Sequence, residues 1–298
     1  MEIPAWPAAR PLELTDRHLL ETRFSQLQPR VSEMTFAGLY LFRTAHEYTL
    51  SCIGQVLVIR GCGYDGATYC LPPLGEEAET ASEELLQAGQ VLYGLEADAL
   101  ERLAGRDDLD ILEDRDSADY LYLRSDLAEL PGNRFHKKKN RINYFAARHG
   151  YETGVYTPEH RCGCLQLLDE WGRMAEAAGN RSFALEMDAT AEGLALADEL
   201  GLQGVVVLVD GRIRAFALGE RLNRETAVCH FEKADHFMEG LSQLVNREFA
   251  RLLFTDCHYI NREQDLGEPG LRNAKLSYHP VELVKKYRVQ QNKNQLHL

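Results

Sequence analysis

Between residues 261 and 278 the chain reads Asn-Arg-Glu-Gln-Asp-Leu-Gly-Glu-Pro-Gly-Leu-Arg-Asn-Ala-Lys-Leu-Ser-Tyr, which packs Arg262, Glu263, Asp265, Arg272 and Lys275 between apolar elements. Carboxylates grouped this way can hold a substrate ammonium, and the cations can neutralise a phosphate or a developing oxyanion. The same grouping can instead be a salt-bridged loop that ties two elements together. Residues 254–260 read as a short strand ending at Asn261, and Pro269-Gly270 suits the opening of a helix, where the first N–H groups lack intrahelical partners anyway. On that helix Arg272 and Lys275 are i and i+3, so both cations share a face. Glu263 and Asp265 lie two apart on the preceding turn, where they could face that pair or bind an ammonium.

Two further positions have chemical potential. A helix expected over residues 134–148 carries an apolar stripe at Phe135, Ile142, Phe145 and Ala146, and Lys138 falls on that stripe. Its ammonium either snorkels past the apolar face or pairs with a phosphate or carboxylate, with Lys137 and Arg141 on a neighbouring face. Farther on, Glu220 follows a strand-like run, and His230, Glu232 and Lys233 close another. Alternation puts His230 and Glu232 on one face and Phe231 on the other, which makes an acid/base or amine-recognition pair or a charged strand end without function.

The segment at 261–278, followed by His279-Pro280 and Lys286-Tyr287, resembles the C-terminal signature of the domain at the soluble end of phosphatidylglycerol lysyltransferases, and looks closest to the free-standing members of that family. A second matching block is Arg134-Phe-His-Lys-Lys-Lys-Asn-Arg-Ile-Asn-Tyr-Phe145, with weaker echoes at residues 35–43 and 215–235. The resemblance implies an α/β (α+β) protein of two tandem GNAT-like acyltransferase lobes, related to Fem-type aminoacyltransferases, that moves an aminoacyl group from aminoacyl-tRNA to an amine or hydroxyl acceptor. It raises Glu220, His230 and Glu232, because the acceptor in such folds approaches the central strands. On this scheme Lys275 or Arg272 stabilises the carbonyl oxygen or a donor phosphate. Glu263 or Asp265 holds the donated amino acid's ammonium, while Lys138, Arg141, Asn261, Arg262 and Tyr278 complete the substrate-binding wall. The acceptor, whether lipid, peptide or small amine, is left open.

The whole chain narrows these readings. Its 298 residues, 45% hydrophobic and 27% charged, suit a folded protein of one large or two ordinary domains. Apolar runs fall short of the roughly 18 to 20 residues that span a bilayer, and the first residues lack a secretory pattern, so a cytoplasmic location is expected. The lysyltransferases carry a membrane region ahead of this domain, so a lipid acceptor is correspondingly less supported. Seven cysteines, an odd number, argue for reduced thiols; Cys162-Gly-Cys164 is the one close pair, and a metal site would want another. The formal charge of −13 opposes nucleic acid on average, so any polyanion must use the basic stretches at 136–141 and 285–288. The acidic run at 107–119 reads as solvated surface.

Expected cofactors are none. Residues 235–242 hold a single glycine and two acids where an acetyl-CoA-binding turn would need glycines and backbone N–H groups, and neither a Walker loop nor a dinucleotide fingerprint occurs. A non-catalytic module for an anionic or amino-acid-like ligand is the alternative to a transferase, and sequence-tolerant RNA binding is the weakest reading.

Both halves show helix, a three-strand meander, then helix. The meanders are expected at residues 48–53, 55–60 and 67–71, and at 204–209, 212–219 and 226–231, the latter with Asp210-Gly211 as a hairpin turn. Helices are expected near 16–27, 36–45, 78–93, 97–104, 134–148, 159–178, 189–200 and 241–253. The boundary is placed near His149-Gly150, giving lobes of 1–149 and 150–298.

Overall fold

The computed structural model describes residues 2–103, 105–178 and 181–292. Strands β1 (Arg10–Pro11), β2 (Thr49–Ile53), β3 (Val56–Cys62), β4 (Thr68–Cys70), β5 (Leu92–Leu95) and β6 (Leu109–Glu113) come first in the chain. They are followed by β7 (Asp119–Leu123), β8 (Tyr151–Val155), β9 (Gln203–Val209), β10 (Arg212–Arg221), β11 (Thr226–Ala234), β12 (Tyr259–Asn261), β13 (Glu282–Val284) and β14 (Tyr287–Gln291). They form two seven-stranded mixed sheets, β1-β2-β3-β4-β5-β14-β6 and β13-β7-β12-β11-β10-β9-β8, each with its own helices. Both meanders form as expected, and Asp210 (φ 51°) and Gly211 (φ 71°) make the tight turn that pairs Val209 with Arg212.

The chain divides into two compact units that are not contiguous in sequence. The first takes residues up to Asp119, then Gln264–Glu268, then the residues from Leu283 on; the second takes Tyr120–Glu263 and Pro269–Glu282. The position expected for the boundary, His149-Gly150, falls inside the second unit.

In the first unit β14 is inserted between β5 and β6, so Val289 joins Val58, Cys70, Leu85, Leu86, Leu92, Leu95 and Leu109 in one apolar core. The helix expected over 78–93 stops at Gln87: Gly89 turns the chain at φ 73°, and Leu92–Leu95 continues as a wholly buried strand. The helix expected over 36–45 is divided into Phe36–Leu41 and Arg43–His46, and residue 104, the end of another expected helix, lies outside the described residues.

The acidic run at 107–119 is more than solvated surface. It contains β6, and its last member, Asp119, is fully buried against Lys286, itself fully buried. Lys286 Nζ donates to Asp119 Oδ1 at 2.7 Å and to Glu33 Oε1 at 2.7 Å, Ser32 donates its N–H and Oγ–H to Asp119, and the Tyr93 hydroxyl donates to Glu33. Burial alone would drive the Lys286 ammonium toward neutrality, but Asp119 and Glu33 hold it charged and raise its pKa. Lys286 is thereby withdrawn from the basic stretch at 285–288, which had been a candidate for polyanion contact.

In the second unit the helix Leu241–Leu252 lays Leu241, Leu244, Val245 and Phe249 against the sheet, while Leu252, expected on the same stripe, is half exposed. The helix Arg161–Ala178 packs on β10 and β11 as well. The strand expected over 254–260 is shorter than expected. Phe254 takes φ 48°, a turn follows, and only Tyr259–Asn261 forms β12. The helix His136–Ala146 buries Ile142 and Phe145 and leaves Lys137, Lys139 and Arg141 exposed. Among the described residues no helix is long and apolar enough to cross a membrane.

Candidate functional site

In the second unit β11 and β12 run parallel, and their pairing stops short. Strand β11 pairs with β12 at Thr226↔Tyr259, Ala227↔Ile260 and Val228↔Asn261. Beyond Asn261 the backbone stays with β7, Arg262 N–H donating to Tyr120 O and Tyr120 N–H to Glu263 O, while β11 runs on past the end of its register with β12 to Ala234. Side chains bridge the gap that backbone leaves. His230 Nδ1 meets Glu263 Oε1 at 2.7 Å, and Arg262 Nη2 donates to Glu232 Oε2 at 3.0 Å.

A bulge aims His230. The register of β10 and β11 shifts between Leu218↔Phe231 and Gly219↔Cys229, so His230 has no cross-strand partner and its ring is freed from the simple alternation expected of it. Its Nε2 reaches Glu220 Oε1 at 2.9 Å, which places the imidazole between two carboxylates. Burial would lower its pKa, but the hydrogen bonds and charges of Glu220 and Glu263 outweigh that and lift it from the usual 6.5 to about 10. At neutral pH the ring is therefore an imidazolium, and the three groups together carry one negative charge.

That cation has a measurable consequence. A histidine whose folded pKa is raised contributes its full stability below its unfolded pKa near 6.5 and loses it as pH climbs through about 10. The urea midpoint is expected to fall between pH 7 and 10, and His230→Gln to flatten that decline; an equal slope in the variant would refute the assignment.

Glu263 is held in place by its neighbours. Its φ of 56° is a strained setting for a residue with a Cβ. Asn261, fully buried, accepts the Glu263 N–H on Oδ1 at 2.8 Å, and Lys275 Nζ donates to the carbonyl oxygens of Arg262 and Glu263. Asn261 and Lys275 thus act on the backbone that carries Arg262 and Glu263. Lys275→Met is expected to slow any reaction at this site through a misplaced Glu263, lowering kcat while the Glu263→Gln change adds little on top of it. Full additivity of the two would remove the positioning role.

Around Arg262 the wall is aromatic and cationic. Its guanidinium stands 5.0 Å from the Tyr278 ring centroid and 5.7 Å from that of Tyr122, and its Nη1 is buried without a hydrogen-bond partner. Lys138 Nζ donates to Ser277 Oγ at 2.6 Å and lies 3.9 Å from the Tyr278 centroid. Burial, with the charges of Arg262 and Arg141 adding to it, holds this ammonium down to about 8. The Lys138 ammonium thus rests on a hydroxyl and an aromatic face, which is neither of the two settings expected of it.

The remaining candidates are distributed otherwise. Glu232 does not pair with His230; it accepts from Arg262 and from Asn246 Nδ2 at 2.9 Å. Arg272 is half-buried one turn before Lys275 on the helix Pro269–Leu276. Arg141 is exposed and lines a pocket with Glu232. Asp265 belongs to the first unit, where it is fully buried and accepts from Gly267 N–H at 2.9 Å and Arg115 at 3.3 Å. Those bonds occupy it as a turn-former rather than as an ammonium acceptor. Sequence reasoning missed Tyr122, Ser277 and Asn246. Only Asn246 left a signal, as a buried amide among the apolar residues of an amphipathic helix.

A parallel pair that parts beside a bulged strand, on one of two mixed sheets each with its own helices, defines a tandem GNAT-like fold of the acyltransferase kind. The chain belongs to the family described as phosphatidylglycerol lysyltransferase, C-terminal, which it matches over residues 24–290. Among solved structures it is similar to a conserved protein of unknown function from Bacteroides thetaiotaomicron, 31% identical, with a TM-score of 0.87 over 95% of this chain and 99% of that one. L-PGS from Bacillus licheniformis has the same fold at 16% identity, with a TM-score of 0.61 and coverage of 99% and 96%. FemX shares the fold at 10% identity, with a TM-score of 0.56 and coverage of 97% and 98%. Family and fold together are those of acyl- and aminoacyltransferases.

Proposed function

We propose that the chain transfers an aminoacyl group from aminoacyl-tRNA to an amine or hydroxyl acceptor at the gap between β11 and the 262–263 turn. The observation that carries this reading is the pairing of an anionic His230–Glu220–Glu263 group with a buried guanidinium that has a free donor, beside it on the same turn. Transfer needs both: a group that takes a proton from the nucleophile, and one that holds the oxyanion.

The atoms balance as follows. Glu263, the more exposed of the two carboxylates, takes a proton from the acceptor ammonium or hydroxyl. The neutral nucleophile attacks the ester carbonyl carbon, and the carbonyl oxygen becomes an oxyanion toward which Arg262 Nη1 donates. Collapse breaks the ester C–O bond, and the departing ribose oxygen takes up the proton that Glu263 holds; an amine nucleophile loses its second proton to solvent to leave an amide, and a hydroxyl nucleophile leaves an ester. His230 stays charged throughout and fixes both carboxylates. The exposed Lys137, Lys139 and Arg141 supply the local positive charge that an acidic protein needs to approach tRNA.

The test is to incubate the protein with a mixture of radiolabelled aminoacyl-tRNAs and a panel of lipid and amine acceptors, and to follow label leaving the tRNA. Transfer that Glu263→Gln reduces about 10²–10⁴-fold is the expected result. Label that stays on the tRNA with every acceptor would reject the reaction.

A further inference from the structure

The turn that joins β11 to the helix Leu241–Leu252 holds one ring out in water. Asp235 anchors it. Its N–H donates to Arg214 O at 2.8 Å, its carboxylate meets the Arg214 guanidinium at 3.2 Å, and its Oδ1 and backbone oxygen accept the N–H groups of Phe237 and Met238. Phe237 is thereby fixed in place, yet it is 87% exposed, more than any other large hydrophobic among the described residues. Its ring lies on that of His236, with centroids 3.8 Å apart, and His236 meets Trp171 edge-on at 6.3 Å. One exposed ring is ordinary by itself; its surroundings give this one a use.

The turn abuts the basic helix His136–Ala146. Gly240, its last residue, lies so close to Arg141 that a Cβ there would strike the Arg141 carbonyl oxygen. Between Glu129 and Glu152 the chain carries no acid, in a protein that has 46 Asp and Glu, and Lys137, Arg141 and Tyr144 share one exposed helix face at i, i+4 and i+7. Arg148 lays its guanidinium over Tyr144, 3.4 Å from the ring centroid. Exposed cations interleaved with exposed rings suit a single-stranded nucleic acid, which puts phosphates on the former and bases on the latter. An anionic bilayer suits the turn less: among residues 235–240 Phe237 is the one exposed apolar side chain, and the exposed Glu239 would meet the lipid's charge.

We propose that Phe237 is the stacking platform for the last base of the donor tRNA, with Arg141 on the adjoining phosphate. The inference deepens the transferase reading and rests on it. His236, Met238 and Arg141 line a pocket whose wall also includes Glu232, the carboxylate that meets Arg262 at 3.0 Å. A base stacked at this rim is therefore the one whose ribose carries the ester that Arg262 serves. Stacking asks only for a π face, so the platform registers the RNA end and leaves the choice of amino acid to other groups.

Fluorescence anisotropy on the full chain tests this with a labelled single-stranded RNA ending in CCA, beside the same RNA whose last nucleotide lacks its base. The parent is expected to bind the abasic RNA about tenfold more weakly. Phe237→Leu, apolar but without a π face, is expected to bind both RNAs equally at the weaker level, and Phe237→Trp to keep the preference. Arg141→Met is expected to weaken both RNAs alike and to flatten the slope of log K against log salt by about 0.7–1. Melting temperatures of the Phe237 variants are expected to match the parent, since the ring stands outside the core. A parent indifferent to the base, an unchanged preference in Phe237→Leu, or no RNA binding at low salt would overturn the proposal. So would sedimentation with phosphatidylglycerol vesicles that depends on Phe237 while RNA binding does not. The aminoacyl-tRNA transfer assay separates the two readings. Base-dependent binding without transfer keeps the platform and removes the transferase; transfer with an unchanged KM for charged tRNA in Phe237→Leu does the reverse.

Discussion

Arg262→Met is expected to lower kcat for aminoacyl transfer about 10²–10³-fold with a much smaller change in KM for the charged tRNA. The argument rests on one nitrogen. Nη2 already holds Glu232, so the free Nη1 can donate to an oxygen that becomes fully charged only as the nucleophile adds. Removing it subtracts stabilisation from the transition state more than from the bound ester. Arg262→Lys keeps a charge but not the planar fork, and is expected to recover only part of the rate. The change also strips Glu232 of its cation, which costs stability because the carboxylate is mostly buried. Arg262→Met combined with Glu232→Gln is therefore expected to restore the melting temperature but not the rate. Wild-type kcat in Arg262→Met, with the melt intact, would end the assignment.

Lys286→Met is expected to destabilise the first unit by about 3–5 kcal/mol, the range for breaking a buried ion pair from one side. The ammonium, Asp119 and the hydrogen bonds that join them are wholly inside, so no water waits to replace the lost cation. Methionine fills the volume and leaves two carboxyl groups facing one another. Urea unfolding followed through tyrosine signals would report the loss, and adding Asp119→Asn and Glu33→Gln is expected to recover much of it, since removing every charge is often close to neutral. A single variant as stable as the parent would show that the network contributes nothing.

What could be read from the chain was local. Asp210-Gly211 between two apolar runs and the Leu241–Phe249 stripe are signals written within a dozen residues, and both elements formed. The blocks at 134–145 and 261–278 pointed to the right family. The partners inside the site were not legible for the same reason in reverse. His230 meets Glu263 across 33 positions, and a bulge, which leaves no mark on composition, overrides the alternation that had paired His230 with Glu232. Asp119 was hidden by its company: among seven acids it looked solvated, and its reason for burial sits 167 residues away in Lys286. Lys275 and Asn261 were singled out for their chemistry, yet their bonds go to backbone, which no residue type announces.

The place of β14 bears on how the protein is made. A strand in the body of a sheet is needed before its neighbours are complete, and Tyr287–Gln291 separates β5 from β6. While the ribosome still holds these residues, β6 has no strand to pair with and Leu109 has no Val289 to pack against. The nascent first unit must wait, with an unfinished sheet edge open to other chains, throughout the synthesis of the second unit. A helper that shields such edges during translation would raise the yield of active protein more than any chaperone added afterwards.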